Sequence, residues 1–317
     1  MDGRAVKRVA RTFIMAGAAA IAMVFAAANA HATDHALLIG VTDYPNLPKR
    51  LWLKGPANDV ALMGDTLQAL GFEAGRIQKL VSRLGGNREP TRANIVQAMA
   101  RLRAEVQPGD HVVLYFAGHG SQQPQPADHG KRPTEPDGLD EVFLPADVDR
   151  WQGAGSPVAI PNALLDDEVG EWIDSVVDRG ATVWAIFDTC HAGGMARGRG
   201  ARVRAVPPVE LGLPMPKRSP VAATPRAAQA FGRDDGRVLA FAARAHEAAG
   251  EEWLPQGVAL GASQMHGVFT FHLAQSLKFL PTASPAALAR AVRTAYVRER
   301  RVGPTPQFNG NMGIPLR

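Results

Sequence analysis

Residues 112–121 read Val112-Val-Leu-Tyr-Phe-Ala-Gly-His-Gly-Ser121, an apolar run that ends abruptly at small and polar residues. Apolar runs of this length without alternation are typical of strands buried on both faces, as in a parallel sheet. Three further runs share the pattern: Ala36–Val41, Thr182–Phe187 and Val238–Ala243. The sequence therefore predicts a parallel sheet that contains these four strands.

Helical periodicity appears between and after these strands. Apolar residues recur on one face at 60–70, 95–106 and 167–177, and again at 269–280 and 288–296. The last segment follows Ser284-Pro285, which matches the residue preferences at the start of a helix. Alternating strands and helices favour a layered α/β domain.

The composition indicates a folded domain and gives no support for nucleic-acid binding. Of 317 residues, 46% are hydrophobic and 21% are charged, which is enough apolar material for a core. The net charge of +5 falls to +2 without the first 30 residues, where four basic residues outweigh Asp2. The chain also has no zinc-finger cysteine set and no aromatic RNA-binding motif, so we expect no nucleic-acid partner.

The N-terminus predicts export. Basic residues precede the apolar run Phe13–Ala28, and Ala28-Asn-Ala30 offers the small residues of a cleavage site. We expect residues 1–30 to be a signal peptide and the mature chain to be periplasmic or secreted, without a stable membrane anchor. An uncleaved anchor is the alternative, although the run is shorter than the roughly 18 to 20 apolar residues that span a bilayer.

Cys190 is the only cysteine of the chain. An exported protein with one cysteine cannot form an internal disulfide, so its thiol is either buried and inert or used. Cys190 follows one strand run within Asp188-Thr-Cys-His-Ala-Gly-Gly194, and His119 follows another. Because ligands of open α/β sheets bind beyond the carboxyl ends of the strands, neighbouring strands would bring both side chains into one crevice.

This pairing suits nucleophilic catalysis, since a thiol needs a base or a cation beside it to become a thiolate. We predict His119 as the base, Cys190 as the nucleophile, and an oxyanion hole from the backbone amides of Gly120 and Cys190. His191 is a rival base that we rank as a supporting residue. Two alternatives stay open: Cys190 as a small core residue with His119 as a loop cap, and a metal site of Cys190, His191 and His119.

The segment Met195–Arg237 has no sustained period and is rich in Pro, Gly, Ala and Arg. Nine basic against three acidic residues give it a charge of +6, which leaves −4 on the rest of the mature chain. We interpret residues 195–237 as a basic linker attached to an acidic body. A solvated linker whose arginines only keep it soluble is the alternative.

The His and Cys motifs resemble those of the caspase-like peptidase clan, and within it those of metacaspases. The two motifs are Tyr115-Phe-Ala-Gly-His-Gly120 and Phe187-Asp-Thr-Cys-His-Ala-Gly-Gly194, and family-like features follow in family order at Ile39–Val41, Leu53–Asp59, Asp137–Val142, Gly267–Thr270 and Thr305–Gln307. The Gln-Ala-Cys-x-Gly signature of animal caspases is absent. The resemblance implies a three-layer α/β/α sandwich with a mostly parallel central sheet, in which residues 31–194 form a large region and residues 238–317 a small region of one domain.

The resemblance also implies a cysteine endopeptidase with a Cys-His dyad that acts on peptide or protein substrates. Asp59 and Asp188 match the two family positions that line a pocket for Arg or Lys before the cut, and paired carboxylates favour such cations. A carboxylate at a helix start is the alternative for Asp59. An enzyme of this specificity would cut its own linker, so we expect autoprocessing within 195–237. A catalytically silent caspase-fold module that binds proteins is the alternative function.

Two positions depart from the family pattern. Ala117 stands where the family often has Ser, and Arg197 stands where some members supply a calcium ligand. The proposed chemistry itself requires no cofactor. The resemblance leaves calcium binding open, with Asp137, Asp140 and Glu141 as candidate ligands and a solvated acidic loop as the alternative.

Overall fold

The structure, a computed structural model, describes residues 32–126, 130, 135, 137–153, 158–190, 202–214, 235–244, 247–257 and 261–317. Within these ranges, Thr33–Arg317 forms a unit of its own. The expected signal peptide, His191 and Arg197 lie outside the described residues. Among the helices that are described, none is long and apolar enough to cross a membrane.

A six-stranded sheet forms the centre of the fold. From edge to edge its strands are β12 (Gln307–Gly310), β9 (Arg237–Phe241), β7 (Thr182–Asp188), β3 (His111–Ala117), β1 (Asp34–Gly40) and β2 (Ile77–Val81). All neighbours are parallel except β12 and β9. The four predicted strands are β1, β3, β7 and β9, each within two residues of its predicted bounds.

Burial on both faces explains why these strands are almost continuously apolar. In β3, Leu114 and Phe116 pack into one hydrophobic cluster, whereas Val113 and Tyr115 pack into a second cluster on the other face of the sheet. Side chains of a strand alternate between the two faces, so a sheet with two covered faces needs apolar residues at every position.

Helices cover both faces of the sheet. The α-helices of the described chain are α1 (Pro56–Ala69), α2 (Arg92–Glu105), α3 (Asp166–Val177), α4 (Val268–Phe279) and α5 (Pro285–Arg298). α2 and α3 contribute to the first cluster, and α1, α4 and α5 contribute to the second. The predicted α/β sandwich of three layers is confirmed. Ser284 caps α5 as predicted, because its Oγ accepts a hydrogen bond from the Ala287 amide at 3.3 Å.

Two small antiparallel sheets complete the described structure. One consists of β4 (Gly120–Pro124), β5 (Leu139–Phe143) and β6 (Leu164–Leu165), and the other of β8 (Arg202–Val203), β10 (Gly250–Leu254) and β11 (Gln264–Gly267). The sequence did not predict either sheet. Residues 202–214 belong to the segment 195–237 interpreted as a basic linker, but Arg204, Val206, Leu211 and Leu213 are buried there. The linker interpretation is therefore wrong for residues 202–214, and so is the alternative of a solvated linker.

Candidate active site

His119 and Cys190 follow the carboxyl ends of two neighbouring parallel strands. β3 and β7 pair in register from His111 to Ala117, opposite Thr182 to Asp188. Both side chains are buried, and the loops that carry them touch: a Cβ atom on Gly120 would lie 2.2 Å from the Cys190 carbonyl oxygen. Only a glycine permits this approach.

The environment of His119 leaves one ring nitrogen as a base. Nε2 lies 2.6 Å from the carbonyl oxygen of Leu51, and because a carbonyl can only accept, Nε2 carries the proton. Nδ1 is buried and has no hydrogen-bond partner among the described residues. Burial lowers the pKa of His119 to about 4, so the imidazole is neutral at pH 7.

Cys190 is held in its protonated form at rest. Its Sγ accepts a hydrogen bond from the backbone amide of Ala249 and lies 3.5 Å from the carbonyl oxygen of that residue. Burial raises the pKa of the thiol to about 12. The resting site therefore contains a neutral thiol and a neutral imidazole.

Asp59 and Asp188 meet around a single guanidinium group, that of Arg204. Asp59 lies in the first turn of α1 and Asp188 ends β7, and all three side chains are fully buried. Nη2 of Arg204 donates to Asp59 Oδ2 at 2.5 Å, and Nη1 lies 3.2 Å from Asp188 Oδ1. The two carboxylates predicted to form a pocket for a basic side chain thus enclose an arginine of this same chain.

Glu251 adds a third carboxylate that sequence reasoning missed. Its Oε2 lies 3.6 Å from Nη2 of Arg204. Its two oxygens also accept hydrogen bonds from the amides of Lys54 and Gly55 at 2.9 and 2.8 Å, which fix the carboxylate in place. Glu251 lies in β10, whose Gly-Glu-Glu-Trp-Leu sequence lacks the apolar pattern of a buried strand.

The motif Gly267–Thr270 completes the pocket. A Cβ atom on Gly267 would lie 2.1 Å from Asp188 Oδ2 and 2.6 Å from Nη1 of Arg204, so the glycine leaves room for the guanidinium. Thr270 donates to Asp188 Oδ2 from its amide and from its hydroxyl, at 3.1 and 2.5 Å. These two hydrogen bonds hold the Asp188 carboxylate in place.

The backbone of Arg204 contacts the two residues predicted to be catalytic or their neighbours. Its carbonyl oxygen accepts hydrogen bonds from the amides of Gly120 and Cys190 at 3.1 and 3.2 Å, the two amides predicted to form the oxyanion hole. Its own amide donates to the carbonyl oxygen of Ala249 at 2.9 Å. Residues 202–203 pair with β10, so the chain leads into Arg204 as an extended strand.

Comparison with known proteins identifies the family of this chain. Residues 34–197 match the family model described as metacaspase, peptidase C14 domain. The chain belongs to the metacaspase family.

Curated metacaspases and one solved structure are similar to this chain. Metacaspase-1 of Candida albicans is 31% identical over 167 residues, which cover 52% of this chain and 34% of that protein. Metacaspase-4 of Arabidopsis thaliana is 31% identical over 164 residues, covering 51% and 34%. The match thus spans about a third of the length of these relatives. Protein GSU0716 of Geobacter sulfurreducens shares the fold, with a TM-score of 0.57 and 21% identity over 89% of this chain and 97% of that one.

The candidate calcium ligands of this metacaspase lie on the hairpin of β4 and β5. Asp140 and Glu141 are buried, so a solvated loop does not describe them. Burial and repulsion from Asp166 raise the pKa of Glu141. The pKa of Asp166 is itself raised to about 8, by burial and by repulsion from Asp167. Within the described ranges, no three His, Cys, Asp or Glu side chains are arranged to hold a metal ion. Calcium binding by Asp137, Asp140 and Glu141 stays a prediction.

Proposed function

We propose that this metacaspase is a cysteine endopeptidase with a Cys190-His119 dyad, which cuts peptide bonds after arginine or lysine. The observation that carries the proposal is the position of Arg204. Its side chain fills an acidic pocket while its carbonyl oxygen lies between the amides of Gly120 and Cys190. A substrate residue before the cut would need the same two placements.

The chemistry begins with two neutral groups. Nδ1 of His119 takes the proton of the Cys190 thiol as Sγ attacks the substrate carbonyl carbon. The amides of Gly120 and Cys190 stabilise the oxyanion, and the amide of Ala249 stabilises the negative charge that develops on sulfur as its proton leaves. The imidazolium then protonates the leaving amine, and water hydrolyses the thioester.

Charge in the pocket gives the specificity. Asp59, Asp188 and Glu251 face one guanidinium in a site with no exposed side-chain surface. A cation forms charge-assisted hydrogen bonds there, whereas a neutral or acidic side chain would leave buried carboxylates unpaired. Arginine suits the pocket especially well, because its two terminal nitrogens reach carboxylates on different sides.

The same geometry supports autoprocessing of the Arg204–Ala205 bond, within the linker 195–237. We also propose that residues 1–30 direct the protein to the periplasm or outside the cell, where peptides or proteins with exposed basic residues are its substrates. Calcium binding at Asp137, Asp140 and Glu141 is a further part of the proposal.

The test is hydrolysis of fluorogenic peptides that differ only in the residue before the cut, with Arg, Lys or Asp, in the presence and absence of calcium. Wild type, Cys190→Ala and Arg204→Ala are compared, the last because it empties the pocket. We expect cleavage after Arg and Lys that Cys190→Ala abolishes. If folded wild type and Arg204→Ala cleave no peptide, the catalytically silent binding module is the better account.

A further inference from the structure

The residues that follow Arg204 pack into the hydrophobic core. Val206 is completely buried, its amide donates to the Gly120 carbonyl oxygen at 2.9 Å, and its carbonyl oxygen accepts from the Ser121 hydroxyl at 2.7 Å. These bonds do not involve Arg204. They would therefore persist if the Arg204–Ala205 bond were cut.

A second group of contacts, which we call the anchor, holds the chain a few residues downstream. Leu211 and Leu213 are buried in the same hydrophobic cluster as Val206. The Leu211 carbonyl oxygen accepts from the Trp151 amide at 2.9 Å, and Gly212, at φ 80°, packs so closely on Trp151 that a Cβ atom would lie 2.5 Å from its carbonyl oxygen. The segment Ala205–Leu213, which we call the retained segment, is thus fixed at both ends.

The residues before the cut are held independently of the retained segment. Arg202 and Val203 pair with Glu251 and Gly250 of β10, and the Arg204 side chain is bound by buried carboxylates. After a cut, both new chain ends would stay at the catalytic thiol.

We infer that the self-cut at Arg204 is reversible on the enzyme, because the new amino group of Ala205 attacks the thioester before water does. This inference rests on the proposed function. Self-cleavage then gives a latent thioester, which water hydrolyses only when the retained segment leaves.

The reaction balances without any further reagent. In the cut, the bond from Cys190 Sγ to the Arg204 carbonyl carbon forms, the Arg204–Ala205 C–N bond breaks, and the thiol proton passes through His119 to the Ala205 nitrogen. In the reversal, that nitrogen attacks the thioester, the C–S bond breaks, and the proton returns through His119 to Sγ. Hydrolysis instead consumes water and leaves a carboxylate on Arg204.

Proximity decides the competition between the amine and water. A group held in place next to its reaction partner acts with an effective molarity on the order of 10⁵–10⁸ M, far above the concentration of liquid water. An α-amino group with a pKa of about 8 is largely protonated at pH 7, which reduces this advantage only about tenfold. The Ala205 amine therefore reacts with the thioester faster than water does while the retained segment stays bound.

Hydroxylamine, a small nucleophile that converts thioesters to hydroxamates, tests the inference. Wild type is incubated in buffer with and without hydroxylamine beside Cys190→Ala, Leu211→Ala and Leu102→Ala, and the chains are measured by intact mass. Leu211→Ala loosens the anchor. Leu102→Ala is its matched control, a buried leucine of the same cluster on α2. Ser121→Ala, which removes the hydroxyl bonded to Val206, is a milder second anchor variant should Leu211→Ala not fold.

We expect wild type and Leu102→Ala to stay mainly single chains in buffer and to split with hydroxylamine into fragments that end in an Arg204 hydroxamate. In buffer, an anchor variant should form at least about ten times as much of the two-chain form as wild type does. The first fragment of that form should end in an Arg204 carboxylate. Cys190→Ala should give neither product.

The inference is overturned if wild type splits in buffer as fast as the anchor variants. It is also overturned if hydroxylamine yields no hydroxamate although Arg204→Ala hydrolyses an added arginine peptide, since the dyad then works but does not acylate on Arg204. Failure of the proposed function is distinguishable, because then no variant hydrolyses any peptide.

Discussion

Replacing Glu251 with glutamine removes one charge from the acidic pocket and keeps the size of the side chain. The NH2 group of glutamine cannot accept a hydrogen bond, so one of the two bonds from the Lys54 and Gly55 amides is lost as well. The carboxylate lies 3.6 Å from the Arg204 guanidinium, and both groups are fully buried. At an effective dielectric constant of about 20, a charge pair at that separation is worth roughly 4–5 kcal/mol. Loss of repulsion from Asp59 and Asp188 in the empty pocket offsets part of this attraction.

We therefore expect Glu251→Gln to weaken binding of an arginine substrate by about 2 kcal/mol, the scale of a hydrogen bond to a charged group. This corresponds to a roughly 30-fold lower kcat/KM. The loss should fall mainly on KM, because the ion pair forms equally in the bound substrate and in the transition state.

The assay is hydrolysis of a peptide ending in Val-Arg before the cut, measured in the Arg204→Ala background so that the pocket is free. Glu252→Gln is the matched control. Glu252 is the next residue of β10, but its carboxylate lies 3.0 Å from Nη1 of Arg301, so its loss should change kcat/KM little. The reasoning is refuted if Glu251→Gln keeps the kcat/KM of the control, or if the whole loss appears in kcat.

Three further predictions concern the dyad and the cleft. Gly120→Ala should abolish self-cleavage and peptide hydrolysis, because its Cβ would lie 2.2 Å from the Cys190 carbonyl oxygen; full activity would contradict this close approach. Arg204→Ala should prevent the two-chain form and speed hydrolysis of an added arginine peptide, and unchanged hydrolysis would mean that Arg204 does not block the pocket. Because burial lowers the pKa of His119 to about 4, the folded protein should lose stability as the pH falls. The unfolded chain takes up the proton at about pH 6.5, so about 3 kcal/mol is lost between pH 6.5 and 4; denaturant titrations of wild type and His119→Gln should differ by this amount, and parallel pH profiles would refute it.

The sequence predicted the part of the fold that rests on apolar periodicity. β1, β3, β7 and β9 are apolar at nearly every position because both faces of the sheet are covered, and polar residues follow two of them at the cleft. These two signals are enough to bring His119 and Cys190 to neighbouring strand ends, as the pairing of β3 with β7 shows.

The sequence did not predict the parts of the site that depend on long-range partners. β10 contains two consecutive glutamates, and Glu251 is buried only because a guanidinium and two backbone amides meet it. Arg204 is one of nine basic residues in its segment, and nothing local distinguishes it from the others. The Leu51 carbonyl that orients His119 is a backbone group, and it leaves no trace in the residue pattern.

Covalent labelling tests the central claim most directly. Peptides that end in Val-Arg or Val-Asp and carry a chloromethyl ketone at the carboxyl end, from which the thiol displaces chloride to form a stable thioether, are added to Arg204→Ala and to Arg204→Ala with Cys190→Ala. We predict that intact mass and peptide mapping find one label from the arginine probe, on Cys190, and none on the second protein or from the aspartate probe. Equal labelling by both probes would contradict the acidic pocket, and an unlabelled Cys190 in folded protein would contradict its role as the nucleophile.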